Sequence, residues 1–303
     1  MYAVIALAVT SNEAILRSST DYHLLEIAPH DTSSFTQGLT YFDGHIYEGT
    51  GMEQQSHIMC HDPNNSMKTL TKMKVTPTHL FGEGISYYYV WKLDEQTGNS
   101  IKEHRLIQLT WKDKVGKIYS LPDMTIINEF TYDTVTGEGW GITFVPHRNE
   151  FYLSDGSEHL IVWDAITLEE KRRIVVMFDR GDGNPNPVQY LNELEFVDFA
   201  SSDNGAGKQC IEEGTCSEGS PFTPTMKILA NVWYQDVLIS ICPESGQVKK
   251  VYDLRDLYPH DQRNKDADCL NGISITGTNA KDGLEVWVTG KLWPKMYRIQ
   301  LRD

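Results

Sequence analysis

Cysteine is scarce in this 303-residue sequence and poorly arranged for its common structural uses. Five occur, Cys60, Cys210, Cys216, Cys242 and Cys269. The number is odd and no CxxC pair exists, which excludes a disulfide framework and a zinc ribbon. Long apolar runs are also missing, since none approaches the roughly 18–20 residues of a membrane-spanning helix. Helical periodicity is confined to two brief stretches, "LRDLYPH" and "TLEEKRR", so the chain reads as nearly all β. Basic charge is short as well. Lys and Arg total 27 against 42 Asp and Glu, and the net charge of −15 is spread along the chain, which repels polyanions and removes nucleic acid as a partner.

One local bridge stays open. Cys210 and Cys216 stand in "KQCIEEGTC", a Gly/Ser-rich stretch where a short closure forms in an oxidising compartment. The only sequon, Asn64-Asn65-Ser66, points the same way. Together they place the protein in the secretory pathway or outside the cell, against the competing reading of reduced thiols in a cytosolic protein. The opening "MYAVIALAVTSNEA" is largely apolar but has no basic n-region, and reads as either the stub of a shortened signal peptide or an edge strand. With 40% hydrophobic and 11% aromatic residues a folded core is assured. The plan is an N-terminal segment, 1–20, and one domain, 21–303, read as a monomer.

What the sequence does have is short runs of β-branched and aromatic residues bounded by Gly, Asp or Asn, such as "GHIYEGTG", "NEFYLSDGS", "MKILANVW" and "LEVWVTGK". These are strands. Five segments resemble one another: "FTQGLT", "FGEGIS", "GWGIT", "LNELEF" and "LNGISI". Placing Gly38, Gly84, Gly141, Glu193 and Gly272 in register gives units of about fifty residues once the low-complexity insertion at 201–225 is set aside. A second strand in each unit ends alike, in "EGTG", "QLTW", "SDG", "ANVW" and "VTGK". All-β repeats of this period predict a five-bladed β-propeller around a central channel. A β-sandwich would explain the strands but not the repeat.

Innermost propeller strands line the channel, so equivalent positions form rings. The residue before the registered position is Gln37, Glu83, Trp140, Asn192 or Asn271, a polar ring with one acid. The last residue of the second-strand ending is Gly51, Trp111, Gly156, Trp233 or Lys291, a ring of two tryptophans, one lysine and two glycines that leave room. Aromatic walls with a few convergent polar groups are what a small-ligand pocket needs. The competing reading makes the tryptophans blade packing and Glu83–Lys291 a buried ion pair. In "GEGWG" Trp140 takes the ring position, and Glu138, two residues earlier, reads as a turn or rim residue.

Taken in order, "FTQGL…YEGTG", "FGEGI…LIQLTW", "GEGWGIT…LSDGS", "YLNELEF…LANVW" and "LNGISI…VTGKLWPKMYRI" resemble the plant and bacterial type of glutaminyl cyclase, or glutamine cyclotransferase, over residues 21–303. The resemblance implies a five-bladed propeller that converts an N-terminal glutamine of peptides or proteins to pyroglutamate. Ammonia is released and no cofactor is required for catalysis. It further implies Glu83, Lys291 and Asn192 as catalytic residues, an aromatic cage of Phe35, Phe81, Trp111, Trp140 and Trp233 with Gln37 beside it, and room for a structural calcium at the narrow end of the channel. The sequence departs from the family pattern at 201–225 and in the longer "YYYVWKLDEQTGNSIKEHR" at 87–105, which bear on substrate range or pocket access.

The chemistry suits these residues. A glutamate walled by phenylalanine and tryptophan has its charged form disfavoured, which brings its pKa toward the working pH of a proton shuttle. Lys291, Asn192 and Gln37 are donors for a developing oxyanion, and indole faces attract an ammonium. Other motifs yield bland readings. "HIMCHD" puts His57, Cys60 and His61 together but reads as strand and turn rather than a metal-binding helix. "DRGDGNPNP" is a solvated turn and not an EF-hand loop, and "GEGWG" precedes a strand, not the helix of a dinucleotide fold. A silent peptide-binding propeller and a metal-dependent propeller lactonase are the alternatives. The second requires several carboxylates around one ion, and the rings offer one acid and a lysine.

Overall fold

A computed structural model describes residues 22–198, 225–279 and 283–302. The N-terminal segment 1–20 and the Cys210–Cys216 pair lie outside the described residues. The chain opens with β1 (Tyr22–Pro29) and then builds one four-stranded antiparallel sheet after another. β2 (Thr36–Phe42), β3 (His45–Thr50), β4 (His57–Asp62) and β5 (Lys68–Lys74) form the first blade. β6 (Gly82–Leu93), β7 (Ser100–Thr110), β8 (Val115–Ser120) and β9 (Ile126–Thr131) form the second, and β10 (Ile142–Val145), β11 (Glu150–Leu153), β12 (His159–Asp164) and β13 (Glu170–Val175) the third. A two-residue pair, β14 (Met177–Phe178) and β15 (Asn186–Pro187), precedes the fourth blade of β16 (Leu191–Asp198), β17 (Met226–Val232), β18 (Val237–Ile241) and β19 (Val248–Asp253). The fifth is β20 (Leu270–Asn279), β21 (Gly283–Gly290) and β22 (Lys295–Leu301), completed on its outer edge by β1. The five inner strands β2, β6, β10, β16 and β20 each touch the next and the ring closes from β20 to β2. This is the five-bladed propeller that the repeat predicts, with the first and last described strands, β1 and β22, paired in one blade.

The registered glycines explain how tightly the ring is drawn. A Cβ on Gly38 would meet Ile85 N at 2.8 Å, one on Gly84 would meet the Gly141 Cα at 2.8 Å, and one on Gly141 would run into the Asn192 carbonyl. Neighbouring inner strands therefore approach backbone to backbone. In the fourth blade, where the register carries Glu193 instead, the carboxylate accepts the Leu39 N–H of β2 at 3.2 Å.

Five apolar clusters form the core, one in each cleft between blades. Phe42, Tyr47 and Ile58 meet Ile85, Leu106 and Tyr119 between blades one and two, for example, and Tyr152 and Val162 meet Leu194 and Ile239 between blades three and four. Each fully buried aliphatic or aromatic side chain contributes about 1.5–3 kcal/mol. The smallest cluster, Ala28, Leu39, Ile46, Met67, Trp287 and Met296, lies where the fifth blade closes on the first. There a polar network supplements it. Glu48, wholly buried, accepts from His30 Nε2 (3.0 Å), His61 Nε2 (3.0 Å) and Thr36 Oγ1 (2.7 Å), while His30 Nδ1 lies 2.7 Å from the Trp293 carbonyl of the fifth blade. Both ring nitrogens of His30 face acceptors, so it spans the closure as an imidazolium.

Two sequence readings change. "TLEEKRR" is not helical, because Glu170–Val175 pairs antiparallel with β12 as the blade's exposed outer strand. "LRDLYPH" makes a single turn, with the Leu257 N–H bonded to the Leu254 carbonyl at 2.9 Å, and its apolar residues tuck between blades four and five. "HIMCHD" is strand β4, as read, with His61 committed to Glu48. "DRGDGNPNP" is the solvated turn expected. The Asp179 carboxylate accepts from Gly181 N and Gly183 N, and that of Asp182 from Asn184 N.

Candidate active site at one end of the channel

Every blade presents the start of its inner strand and the end of its second strand at the same mouth of the channel. Gln37, Glu83, Asn192 and Asn271 are each the second residue of their inner strand, and Trp140 precedes β10. Trp111, Trp233 and Lys291 each directly follow the second strand. Main-chain bonds lock these positions together: Gly51 N to Phe35 O (2.8 Å), Trp111 N to Phe81 O (3.0 Å), Trp233 N to Tyr190 O (2.9 Å) and Lys291 N to Cys269 O (2.9 Å). The nine residues singled out from the sequence thus converge on one mouth, with a buried polar floor and a half-buried aromatic rim.

On the floor, Glu83 is 4% exposed and accepts from Gln37 Nε2 at 3.0 Å. The Gln37 oxygen faces Asn271 Nδ2 at 3.4 Å, and that amide also donates to Thr36 O at 3.0 Å. Burial pushes the Glu83 carboxyl well above its ordinary pKa. The positive charge of Lys291 pulls it part of the way back, and the negative charge of Glu138 raises it further. Lys291, itself buried, places its ammonium 4.8 Å from the centre of the Phe35 ring. Among the described residues it forms no ion pair with Glu83, so the two remain separate functional groups facing one space. Asn192 is buried in β16, and its carbonyl accepts from Ser154 Oγ at 2.5 Å.

The rim is a chain of rings. Phe35 meets Phe81 edge-on at 6.1 Å, and Phe81 meets Trp111 at 5.6 Å. Trp140 meets Trp233 edge-on at 5.5 Å, and Trp233 in turn contacts Tyr190 at 6.0 Å. The two glycines of the second ring leave room as expected: a Cβ on Gly51 would strike the Phe81 ring, and one on Gly156 would lie 2.8 Å from Trp140.

Two residues at this mouth, Glu138 and Tyr190, go beyond the sequence reading, and a third, Asn271, takes the part its ring position gives it. Glu138 is a rim residue, but more than a turn: one carboxylate oxygen, Oε2, accepts the indole N–H of Trp111 at 2.7 Å and that of Trp140 at 2.9 Å. Tyr190 extends the aromatic wall, and Asn271 extends the hydrogen-bonded floor. The repeat carries the signal for the first two. Phe35, Phe81, Glu138 and Tyr190 all stand two residues before their ring position.

Two features of the surroundings bear on the site. The 87–105 extension lengthens the β6–β7 hairpin at the end of the blade remote from Glu83, ten residues along β6 or roughly 33 Å at 3.3 Å per residue. Midway along β6 Tyr88 packs on Phe144 and Phe151 of the third blade, and the hairpin tip past Leu93 and Ser100 points away from the mouth. The residues where the 201–225 insertion leaves and rejoins the fourth blade, Asp198 and Met226, pair at that same remote end; the insertion itself lies outside the described residues, Thr225 excepted. A structural calcium in the channel stays a proposal, and the buried Glu193 and Glu195 of β16 are acids it would meet there. Glu193 accepts the Leu39 N–H through Oε1 while its Oε2 is buried without a hydrogen-bond partner, and Glu195, which burial pushes up to about 8, accepts from Ile275 N and Thr143. A cation prefers ionised oxygens not already engaged with donors, and no cluster of three or more His, Cys, Asp or Glu spaced for a metal occurs among the described residues.

Comparison with known proteins bears on the family and the fold. Among curated proteins, the glutaminyl-peptide cyclotransferase of Arabidopsis thaliana is 27% identical over 281 residues, 91% of this chain and 69% of that protein. Among solved structures, the crystal structure of Myxococcus xanthus glutaminyl cyclase shares the fold with a TM-score of 0.66 at 24% identity, covering 94% of this chain and 100% of the other. The family model described as glutamine cyclotransferase matches residues 1–301, and the chain belongs to that family.

Proposed function

We propose that the protein is a glutaminyl-peptide cyclotransferase, closing the N-terminal glutamine of peptides or proteins to pyroglutamate with release of ammonia and without a catalytic metal. The observation that carries this is Glu83. It is a carboxyl buried at the channel mouth, lowered onto a floor with one amide donor and walled by aromatic rings, with a cation facing it but not paired to it. Such a group, its carboxyl held above the ordinary carboxylate range, is suited to take up and return a proton.

In the reaction the α-amine nitrogen of the glutamine attacks its own side-chain amide carbon. As that bond forms, the Glu83 carboxylate takes a proton from the amine. The same proton passes to the amide nitrogen as the carbon–nitrogen bond breaks, ammonia leaves, and Glu83 is restored. Charge on the amide oxygen is met by the Lys291 ammonium, with Asn192 and the second amide proton of Gln37 as neutral donors. The aromatic rim holds the amine end near its target, and Trp111, Trp140 and Trp233 offer faces that attract an ammonium at about 0.5–2 kcal/mol each. Holding amine and amide in a near-attack geometry supplies much of the advantage of an intramolecular reaction.

An assay of ammonia release from a Gln-initiated peptide, with and without a chelator, tests the proposal. Release that survives chelation supports it. Release lost on chelation indicates a metal enzyme, and binding without turnover indicates a silent propeller. The oxidising, secretory setting suggested by Cys210, Cys216 and the sequon is proposed on the same footing, and mass mapping of the secreted protein checks it.

A further inference from the structure

Between the two halves of the aromatic rim stands a carboxylate. Phe35, Phe81 and Trp111 come from the first two blades, and Trp140, Trp233 and Tyr190 from the third and fourth. No ring-to-ring contact joins Trp111 to Trp140 among the described residues; Glu138 Oε2 does so instead, accepting both indole N–H groups at 2.7 and 2.9 Å. A half-buried indole needs an acceptor for its one donor, and an ionised acceptor at this distance makes a bond roughly twice as strong as a neutral one.

The carboxylate is itself held. The Glu138 carbonyl accepts from Thr134 Oγ1 at 2.7 Å, its N–H reaches Thr136 Oγ1 at 3.3 Å, and Thr136 is tied to Asp155 through its N–H (2.9 Å) and hydroxyl (2.8 Å). On either side, Gly139 N bonds Trp111 O (2.9 Å) and Trp140 N bonds Ser154 O (3.0 Å). Lys112 lies 3.8 Å from the centre of the Trp111 ring and 3.5 Å from Glu138 Oε1. The side chain of Glu138 is 23% exposed.

We propose that Glu138 is a positioning residue of the glutamine site, pinning the indoles of Trp111 and Trp140 across the boundary between the second and third blades and so setting the width of the slot into which the substrate's amine end fits. The role is distinct from that of Glu83, since Glu138 acts through the two rings and not on the reacting atoms. Its charge has a second consequence: it adds to the burial that raises the Glu83 carboxyl.

The kinetic arm of the test rests on the cyclase reading, whereas a spectroscopic arm does not. Glu138→Gln keeps an oxygen that accepts both indole protons and removes only the charge. Glu138→Ala removes the acceptor. In proton–nitrogen correlation spectra of the full chain, with indole signals assigned through Trp111→Phe and Trp140→Phe, Glu138→Ala is expected to move both indole resonances, and Glu138→Gln to keep both hydrogen-bonded. With a Gln-initiated peptide, Glu138→Ala is expected to lower kcat/KM by ten- to a hundredfold, mostly through KM, because the rings bind the ground state as well as the transition state. Glu138→Gln is expected to recover most of that loss while shifting the acid limb of the pH profile to lower pH. If the indole resonances stay put in Glu138→Ala, the clamp is wrong whether or not the protein turns over. If they move but KM and the pH limb do not, the clamp exists without a role in substrate positioning and the proposal is overturned.

Discussion

Glu48 and Glu83 lie in adjacent blades, are both fully buried, and have their carboxyl pKa values driven in opposite directions. Burial alone would raise either one. Around Glu48, the charge and hydrogen bond of His30, joined by those of His61, overcome it and hold the carboxyl well below the ordinary carboxylate range, with Thr36 as a further donor. Around Glu83 there is a single amide donor and a cation at a distance, so burial wins and the carboxyl is held high. The contrast teaches that the count and charge of donors, more than depth, decides whether a buried acid is structural or chemical. Glu48 locks the apolar-poorest blade interface, and Glu83 is left free to exchange a proton.

Removing the chemistry and removing the lock should therefore give different failures. Glu83→Gln is expected to lower turnover by about 10²–10⁴-fold with the melting temperature unchanged or slightly raised, measured by ammonia release and thermal unfolding. Glu48→Ala should do the reverse. It leaves the His30 cation buried without its partner, for a loss of about 3–5 kcal/mol in denaturant unfolding, while the fraction that remains folded still turns over peptide.

Smaller effects sharpen the contrast through pH. Because Lys291 lowers the Glu83 carboxyl, Lys291→Met is expected to move the acid limb of kcat/KM upward in pH, in addition to reducing kcat. His30 behaves oppositely to an acid. Burial disfavours its cation, but the charge and hydrogen bond of Glu48 raise its pKa above 6.5, with the Trp293 carbonyl and Asp31 adding to the effect. A raised histidine contributes stability that is fully present below its unfolded pKa and lost as pH climbs through the folded one. Wild type and His30→Asn should therefore differ most in stability at mildly acid pH and converge on alkalisation, in paired denaturation curves. The groups facing this pair are Glu48, His61 and Asp31, the last of which lies 3.6 Å from Lys72.

Much of the architecture was legible because the propeller repeats itself. The glycines that mark the register are those where inner strands touch backbone to backbone, so a steric demand common to several blades surfaced as a sequence pattern. The two rings of the mouth followed from that register. Glu138 was undervalued for a local reason: its neighbours at the same register position are Phe35, Phe81 and Tyr190, and a carboxylate among rings looks like an interruption until the indole N–H groups are seen to converge on it. The Glu48 network was not legible at all. His30, Glu48, His61 and Trp293 meet only when the last blade closes on the first, and no spacing along the chain records that meeting. "TLEEKRR" misled because an exposed outer strand carries no apolar alternation, leaving its charged residues to mimic a helix.

The opposed shifts of the two glutamates can be measured directly. Carbon-13 carboxyl NMR across a pH titration, with the signals of Glu48 and Glu83 assigned by Glu48→Gln and Glu83→Gln, reads each protonation state in the folded protein. The expected result is that Glu48 stays ionised over the whole range in which the protein remains folded, while Glu83 titrates above the range of a free carboxylate. Titration of both in the ordinary carboxylate range, or a Glu83 ionised throughout, would contradict the assignment of one as lock and the other as proton carrier.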